Sequence, residues 1–180
     1  MTWDHDKMAK LKDLLIPAIS GLAYTDVPYY IYSYSAEDEV MCLRAFDTMA
    51  KELRYLNYSV ELIYLSQMLL TALHNLDYLD DAILGDEAMN LADIEDNLQN
   101  ELPQELVVML KASLAGDYTH CAILLRVGSL FPFVHPYQLL SLMEGTIRCT
   151  IVLPFPGSRD GTILNYRRDA GRIFPHGVWL

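Results

Sequence analysis

The chain has 180 residues, of which 52% are hydrophobic and 21% are charged. This composition predicts one globular domain over residues 1–180 and excludes a disordered chain. No apolar run reaches the roughly 18–20 residues that a membrane span needs. Residues 1–7 carry mixed charge with no apolar core and no cleavage site, so we expect a cytoplasmic protein that is not secreted.

The cysteines and histidines show no metal-binding or disulfide pattern. Cys42, Cys121 and Cys149 are widely spaced, odd in number and without a C-x-x-C pair, which excludes a disulfide scaffold and a zinc finger. The five histidines include no H-x-x-x-H or H-E-x-x-H pair. We therefore predict that the chain holds no metal ion and no cofactor.

The net charge of −11 is unevenly distributed along the chain. Residues 1–144 hold 8 basic and 22 acidic side chains, a net −14, whereas residues 145–180 hold 5 arginines and 2 aspartates, a net +3. Ten acids and no base lie over residues 77–105. Such a field repels phosphate backbones, so we expect only weak nucleic-acid binding. The acidic stretch is interpreted as a solvated helix face, with a docking surface for a basic partner as the alternative.

The apolar spacing predicts alternating elements from the N-terminus onward. A helix over residues 8–16 is expected to end at Pro17. An aromatic strand follows over residues 28–35, in which one pair of tyrosines is expected to face inward and another to lie at an interface. These tyrosines are Tyr29, Tyr30, Tyr32 and Tyr34. Ser35 is a candidate cap for a helix that runs to Leu56.

The rest of the chain continues the same alternation. The further predicted elements are a strand over 60–65, a helix over 67–74 capped by Ser66, helical pieces broken at Gly85 and Pro103, a helix over 104–115 stopped by Gly116, a strand over 120–127, a helix over 136–143, a strand over 149–155, and short strands over 162–166 and 178–180. This order predicts a three-layer α/β domain with a mostly parallel sheet, helices on both faces and short antiparallel strands near the C-terminus.

In such a sheet, ligands bind beyond the carboxyl ends of the strands. The loops there are expected over 33–39, 66–67, 126–135 and 156–161. They contain neither a phosphate-binding P-loop nor a G-x-G-x-x-G motif, and Ser129 lacks the second glycine of a nucleophile elbow. Gly128 is instead expected to make a tight turn after its strand. We predict no catalytic residue.

Two loops carry weaker signals. Residues 156–161 could offer backbone N–H groups and Arg159 to an anion, but Asp160-Gly161 also indicates a hairpin turn, which we favour. Three acids after the first strand could act in acid–base catalysis, although a favourable interaction with the helix dipole accounts for them more simply. These acids are Glu37, Asp38 and Glu39.

Three blocks of the sequence together resemble the BrxB family, a small component of BREX phage-defence systems. They cover residues 21–39, 125–134 and 152–161. Arg126 stands where glycine is common in that family, and Ser158-Arg159 replaces an acidic-aromatic pair. The positions that match the family motifs are Tyr34, Glu37, Asp38, Glu39, Gly128, Phe131, Pro132, Phe133, Pro156, Gly157, Asp160 and Gly161.

The resemblance implies a non-enzymatic subunit whose expected direct partner is the PglZ-like protein of the alkaline-phosphatase superfamily, or another BREX subunit. Two alternatives stay open. One is a nucleotide-binding or hydrolytic domain that uses the loops at Gly128 and Gly157 with Arg126 and Arg159. The other is a nucleic-acid adaptor that uses C-terminal arginines. The candidate anion or nucleic-acid contacts are Arg126, Arg159, Arg167 and Arg168, with Arg172 added for the adaptor.

Overall fold

A computed structural model describes residues 3–21, 29–79, 91–115, 120–160, 163–165 and 178–180. Short 3₁₀-helices lie at residues 36–38 and 127–130. The helices and strands are α1 (His5–Ile19), β1 (Tyr29–Tyr34), α2 (Glu39–Tyr55), β2 (Val60–Tyr64), α3 (Leu65–Asn75), α4 (Leu91–Ser113), β3 (Cys121–Leu125), α5 (Pro136–Met143), β4 (Thr150–Pro156), β5 (Ser158–Asp160), β6 (Ile163–Asn165) and β7 (Val178–Trp179).

Five strands form a parallel sheet in the order β2-β3-β4-β1-β7. The longest pairing aligns β1 with β4, from Tyr29 opposite Ile151 to Tyr34 opposite Pro156. β5 and β6 form a separate antiparallel hairpin. The predicted α/β fold and the antiparallel C-terminal strands are confirmed. The last strand differs, because β7 joins the main sheet in parallel to β1.

Helices cover both faces of the sheet. α1 and α2 pack on one face, against Tyr32 and Val152, and α3, α4 and α5 pack on the other, against Ile31 and Ile151. β3 and β4 are buried along their whole length. Burial of one large apolar side chain contributes roughly 1.5–3 kcal/mol. The continuous apolar runs that predicted these strands therefore reflect burial from both sides, and the three-layer architecture is confirmed.

Two prolines do not end helices where they were expected to. α1 continues through Pro17 to Ile19, and α4 begins at Leu91 and passes through Pro103. A proline inside a helix costs about 3 kcal/mol because it removes a hydrogen bond and crowds the preceding turn. Burial of Ile19 in α1, and of leucines on both sides of Pro103 in α4, offsets this cost. Gly85 and Gly116, the other predicted breaks, lie outside the described residues.

The two predicted serine caps are also wrong. α3 begins directly at Leu65, one residue before Ser66, so β2 leads into the helix without a capping side chain. The Ser35 hydroxyl donates to the Glu37 carboxylate at 3.4 Å, and a turn of 3₁₀-helix separates it from α2. Both helices begin where their buried faces meet the sheet, so packing replaces the local cap.

All four tyrosines of β1 are buried, which corrects the expectation that one pair lies at an interface. Their exposed fractions are 5% for Tyr29, 2% for Tyr30, 1% for Tyr32 and 7% for Tyr34. The reason is that β1 lies between β4 and β7 and is covered by helices on both faces. β1 therefore belongs to the core.

Tyr32 is the centre of one aromatic cluster. Its ring lies 5.7 Å from that of Trp3 and 5.4 Å from that of Phe46, measured between centroids. The Lys7 ammonium lies 4.6 Å from the Tyr32 centroid, within the range of a cation–π contact. To the residues that the structure describes, the Tyr32 hydroxyl makes one long hydrogen bond, 3.4 Å, to the Asp4 carbonyl. The ring therefore contributes more to stability than the hydroxyl does.

We expect Tyr32→Ala to lower the free energy of unfolding by about 3–5 kcal/mol, as truncation of other buried aromatic side chains does. Tyr32→Phe keeps the ring contacts and loses one weak bond, so we expect a loss below about 1 kcal/mol. Urea unfolding followed by circular dichroism measures both. Equal losses in the two variants would contradict the assignment of the stabilisation to the ring.

Candidate functional site

The carboxyl ends of β1, β3 and β4 lie side by side. The sequence predicted the candidate loops at these strand ends. β1 ends at Tyr34, β3 at Leu125 and β4 at Pro156. The Gly157 N–H donates to the Tyr34 carbonyl at 2.8 Å, so the loops after β1 and β4 are hydrogen-bonded to each other. Two family-motif positions, from distant blocks, thus meet in space.

A polar cluster of three side chains joins the loops after β1 and β3. The Tyr34 hydroxyl donates to Oε2 of Glu39, and Nε of Arg126 lies 3.6 Å from Oε1 of the same carboxylate. Glu39 is the first residue of α2, so its carboxylate lies between the two loops. The structure therefore brings together three of the predicted positions. Glu37 does not join them, since its side chain is exposed and accepts from Ser35.

The groups beneath Glu39 are held in their neutral forms. Burial raises the pKa of the Tyr34 hydroxyl, and its hydrogen bond to Glu39 raises it further. Burial likewise raises the pKa of the neighbouring Cys42 thiol, and the negative charge of Glu39 adds to this effect. At neutral pH, Tyr34 is therefore a hydrogen-bond donor and Cys42 is a thiol rather than a reactive thiolate. The cluster is suited to holding the two loops in place.

Arg126 has a left-handed backbone conformation, with φ of 63° and ψ of 35°. Its carbonyl accepts hydrogen bonds from Ser129, from N–H at 3.0 Å and from the hydroxyl at 2.7 Å. The turn out of β3 is thus made by Arg126, and the expectation that Gly128 makes it is wrong, because Gly128 lies inside the following 3₁₀-helix. A left-handed residue other than glycine costs roughly 1–2 kcal/mol. This cost explains physically why glycine would suit the position.

Four further motif positions lie in two other places, the turn after the 3₁₀-helix and the end of β5. Phe131, Pro132 and Phe133 form the turn after the 3₁₀-helix, with a cis bond before Pro132, and Phe133 packs against the core of the α3–α5 face. Asp160 ends β5 and pairs with Ile163 of the antiparallel strand β6, which confirms the predicted hairpin.

The candidate contacts near the C-terminus are only partly described. Arg159 lies on β5 opposite Leu164. The remaining candidates, Gly161, Arg167, Arg168 and Arg172, lie outside the described residues. Of the predicted anion contacts, Arg126 is the one whose side-chain position is described, and its guanidinium faces Glu39. An anion in this loop would compete with that carboxylate.

A groove between α1 and α2 was not found by sequence reasoning. It has a volume of about 390 Å³, and the Lys12–Glu52 ion pair, at 2.5 Å, joins the two helices beside it. The position of the groove depends on how α1 and α2 cross. The sequence indicates it only through the spacing of methionines along both helices. The lining residues are Trp3, His5, Met8, Ala9, Lys12, Met41, Arg44, Ala45, Thr48, Met49 and Glu52.

The described part of the chain contains neither a metal-binding cluster nor a helix that could span a membrane. No three His, Cys, Asp or Glu side chains there converge as a metal site requires. His120 instead accepts a hydrogen bond from the Ser59 N–H at Nδ1, 3.0 Å away, and packs edge-on against Tyr58. None of the described helices combines the length and hydropathy of a membrane span.

Comparison with known families identifies the chain. The model of the family described as "BREX protein BrxB" matches residues 61–169, more than half of the sequence. The chain belongs to the BrxB family. The match begins in β2 and extends past β6, so it contains the second and third blocks of resemblance, and the block at residues 21–39 precedes it. Neither curated proteins nor solved structures gave a match.

BrxB membership makes the chain a component of a BREX defence system. Within the polar cluster, Arg126 lies in the region that the family model matches, whereas Tyr34 and Glu39 lie before it. The cluster therefore ties the matched part of the chain to the N-terminal block. Its contribution to stability depends on the balance between the strained backbone of Arg126 and the ion pair.

We expect Arg126→Gly to be about 1 kcal/mol more stable than Arg126→Ala, because both lose the ion pair but only glycine relieves the left-handed backbone. The ion pair itself is half exposed and contributes about 1 kcal/mol or less. Glu39→Gln removes the ion pair but leaves the backbone of Arg126 unchanged. It is therefore the control for loss of the ion pair alone. Urea unfolding ranks the three variants, and an alanine variant as stable as the glycine variant would contradict this assignment of strain.

Proposed function

We propose that this chain is a non-catalytic interaction subunit of a BREX anti-phage system, and that it binds the PglZ-like protein of the same system. The observation that carries the proposal is the BrxB family match over residues 61–169. A defence component built as one of several subunits acts through contacts with the others. The structure supports this role in two ways, through its strand-end loops and through its acidic helix.

The loops at the carboxyl ends of the strands are where α/β enzymes usually carry their reacting groups. In this chain, the side chains described there support a structural role instead. The carboxylate of Glu39 is already engaged by Tyr34 and Arg126. Burial keeps Cys42 protonated beneath them. These side chains use their polar groups to bind one another. Such an arrangement favours strand-end loops that are held in a fixed position and presented to a partner.

The acidic stretch supports a role in steering a partner. In its described part, Glu101 accepts from the Tyr78 hydroxyl at 3.2 Å and Glu105 accepts from Asn75 at 2.7 Å, so these two acids fasten α4 to α3 and its following turn. Glu95 and Asp96 are exposed on α4. Exposed charges of one sign raise the rate of encounter with a basic surface more than they hold the complex together. Asp80, Asp81, Asp86 and Glu87, the other acids of interest, lie outside the described residues.

Co-expression with the PglZ-like protein of the same operon tests the proposal. We expect the two chains to elute together in size-exclusion chromatography at micromolar concentration and 150 mM salt. Each remaining BREX subunit, co-expressed in the same way, serves as a comparison. Separate elution of this chain from every BREX subunit would contradict the proposed role.

The purified chain is expected to hydrolyse neither ATP, GTP nor model phosphodiesters above the blank rate, with Mg²⁺, Mn²⁺ or Zn²⁺ present. The reason is that the sequence lacks the phosphate-binding lysine of a P-loop and any paired histidines. Initial rates with each metal measure this. Metal-dependent turnover that Arg159→Ala or Asp160→Ala abolishes would favour the hydrolytic alternative instead.

A further inference from the structure

The outermost strands of the parallel sheet, β7 and β2, each pair with one neighbour among the described residues and differ in length: β7 has two residues and β2 has five. At one end, β7 and the residue after it lie along β1: the Leu180 N–H donates to the Ile31 carbonyl at 3.0 Å, and the Ser33 N–H donates to the Leu180 carbonyl at 3.2 Å. At the other end, β2 pairs with β3 and has no second strand beside it among the described residues. Within the described part of the chain, β2 is therefore the longer of the two edge strands, and its side away from β3 is unpaired.

The hydrogen bonds around β2 show which of its peptide groups point outward. The Ser59 carbonyl accepts from His120 and Cys121, so it faces β3. The next carbonyl, that of Val60, points away and accepts from Nε and Nη2 of Arg54 at 3.0 and 2.6 Å. Bonding direction alternates along a strand, so the N–H and C=O of Leu62 and the N–H of Tyr64 also point away from β3.

These three outward groups have no hydrogen-bond partner in the part of the chain that the structure describes. Arg54 covers the carbonyl of Val60, and this limits the open edge to residues 62–64. Natural proteins protect sheet edges in such ways because unpaired N–H and C=O groups attract other strands. An extended backbone can satisfy all three groups together, because it presents donors and acceptors with the same alternation.

The side chains of β2 are also only partly covered by the rest of the chain. Leu62, Ile63 and Tyr64 are half-buried, whereas every residue of β3 is buried. Glu61 is exposed and forms no salt bridge with any described residue. A strand added beside β2 would cover the three apolar side chains, and a lysine or arginine opposite Glu61 would complete a favourable cross-strand pair.

We infer that the open edge of β2, residues 62–64, is the docking site for an extended segment of another BREX subunit, which carries a basic residue opposite Glu61 and extends the sheet by one strand. The inference rests on the proposed function and names the surface that it uses. In this mode of recognition, backbone hydrogen bonds supply affinity and alternate side chains supply specificity. A second copy of this chain fits less well, because each copy carries a net charge of −11 and pairing of two β2 strands would bring their Glu61 side chains near each other.

Leu62→Pro tests the edge directly. Proline removes the N–H of residue 62, which points outward, and leaves the hydrogen bonds between β2 and β3 unchanged, so an edge strand can accommodate it. We expect the dissociation constant for the PglZ-like protein, or for whichever BREX subunit co-elutes, to rise by about tenfold or more, the equivalent of one or two lost hydrogen bonds. Leu62→Val, which keeps the N–H and a branched apolar side chain, is the matched control and is expected to bind within about threefold of wild type.

Glu61→Lys is a second variant that does not depend on how the backbone tolerates proline. It places a cation opposite the expected basic residue, so we expect it to weaken the complex by about tenfold, since like charges across a strand pair repel. Asp13→Lys makes the same charge change at an exposed position on α1 and is expected to leave affinity within about threefold. Surface plasmon resonance with the full-length chains measures all four variants, and urea unfolding checks that each is folded.

The possible results separate this inference from the proposed function. Weakened binding by Leu62→Pro and Glu61→Lys, with both controls near wild type, supports docking at β2. A wild-type complex that neither variant weakens overturns the edge site and leaves the interaction role intact. A wild-type dimer that Leu62→Pro converts to a monomer overturns the assignment to another subunit. Failure of the wild-type chain to bind any BREX subunit overturns both.

Discussion

Burial of the parallel sheet from both sides is the constraint on which the rest of this molecule depends. β3 and β4 are buried along their whole length, and the four tyrosines of β1 lie under helices on one face or the other. Helices occupy both faces because the connections between parallel strands cross over them. Once both faces are covered, the sheet can offer a partner only its strand ends and its edges.

The strand ends and the edges are used differently. At the carboxyl ends, Tyr34, Glu39 and Arg126 hold the loops to one another, so the polar groups there are largely occupied within the chain. At the edges, β7 is a strand of only two residues, whereas β2 has five residues and outward peptide groups without described partners. This difference in length is the reason that the inferred docking site lies on β2 and not on β7.

Much of this fold follows from local sequence, and the exceptions have a common cause. Continuous apolar runs predicted β3 and β4, and Pro136 marked the start of α5, because burial and backbone restriction act within a few residues. The prolines inside α1 and α4 and the left-handed Arg126 could not be placed in this way. Their costs are offset by packing and pairing with residues far away in the chain. The polar cluster and the α1–α2 groove likewise depend on how distant elements meet.

Amide hydrogen exchange on this chain, alone and in its co-purified complex with the BREX partner, tests the central claim most directly. In the free chain, the outward amides of Leu62 and Tyr64 lack described hydrogen-bond acceptors and should exchange much faster than those of Glu61 and Ile63, which face β3. The account predicts that complex formation slows exchange at Leu62 and Tyr64. Protection confined to the α1–α2 groove or to α4, with Leu62 and Tyr64 unchanged, would contradict it.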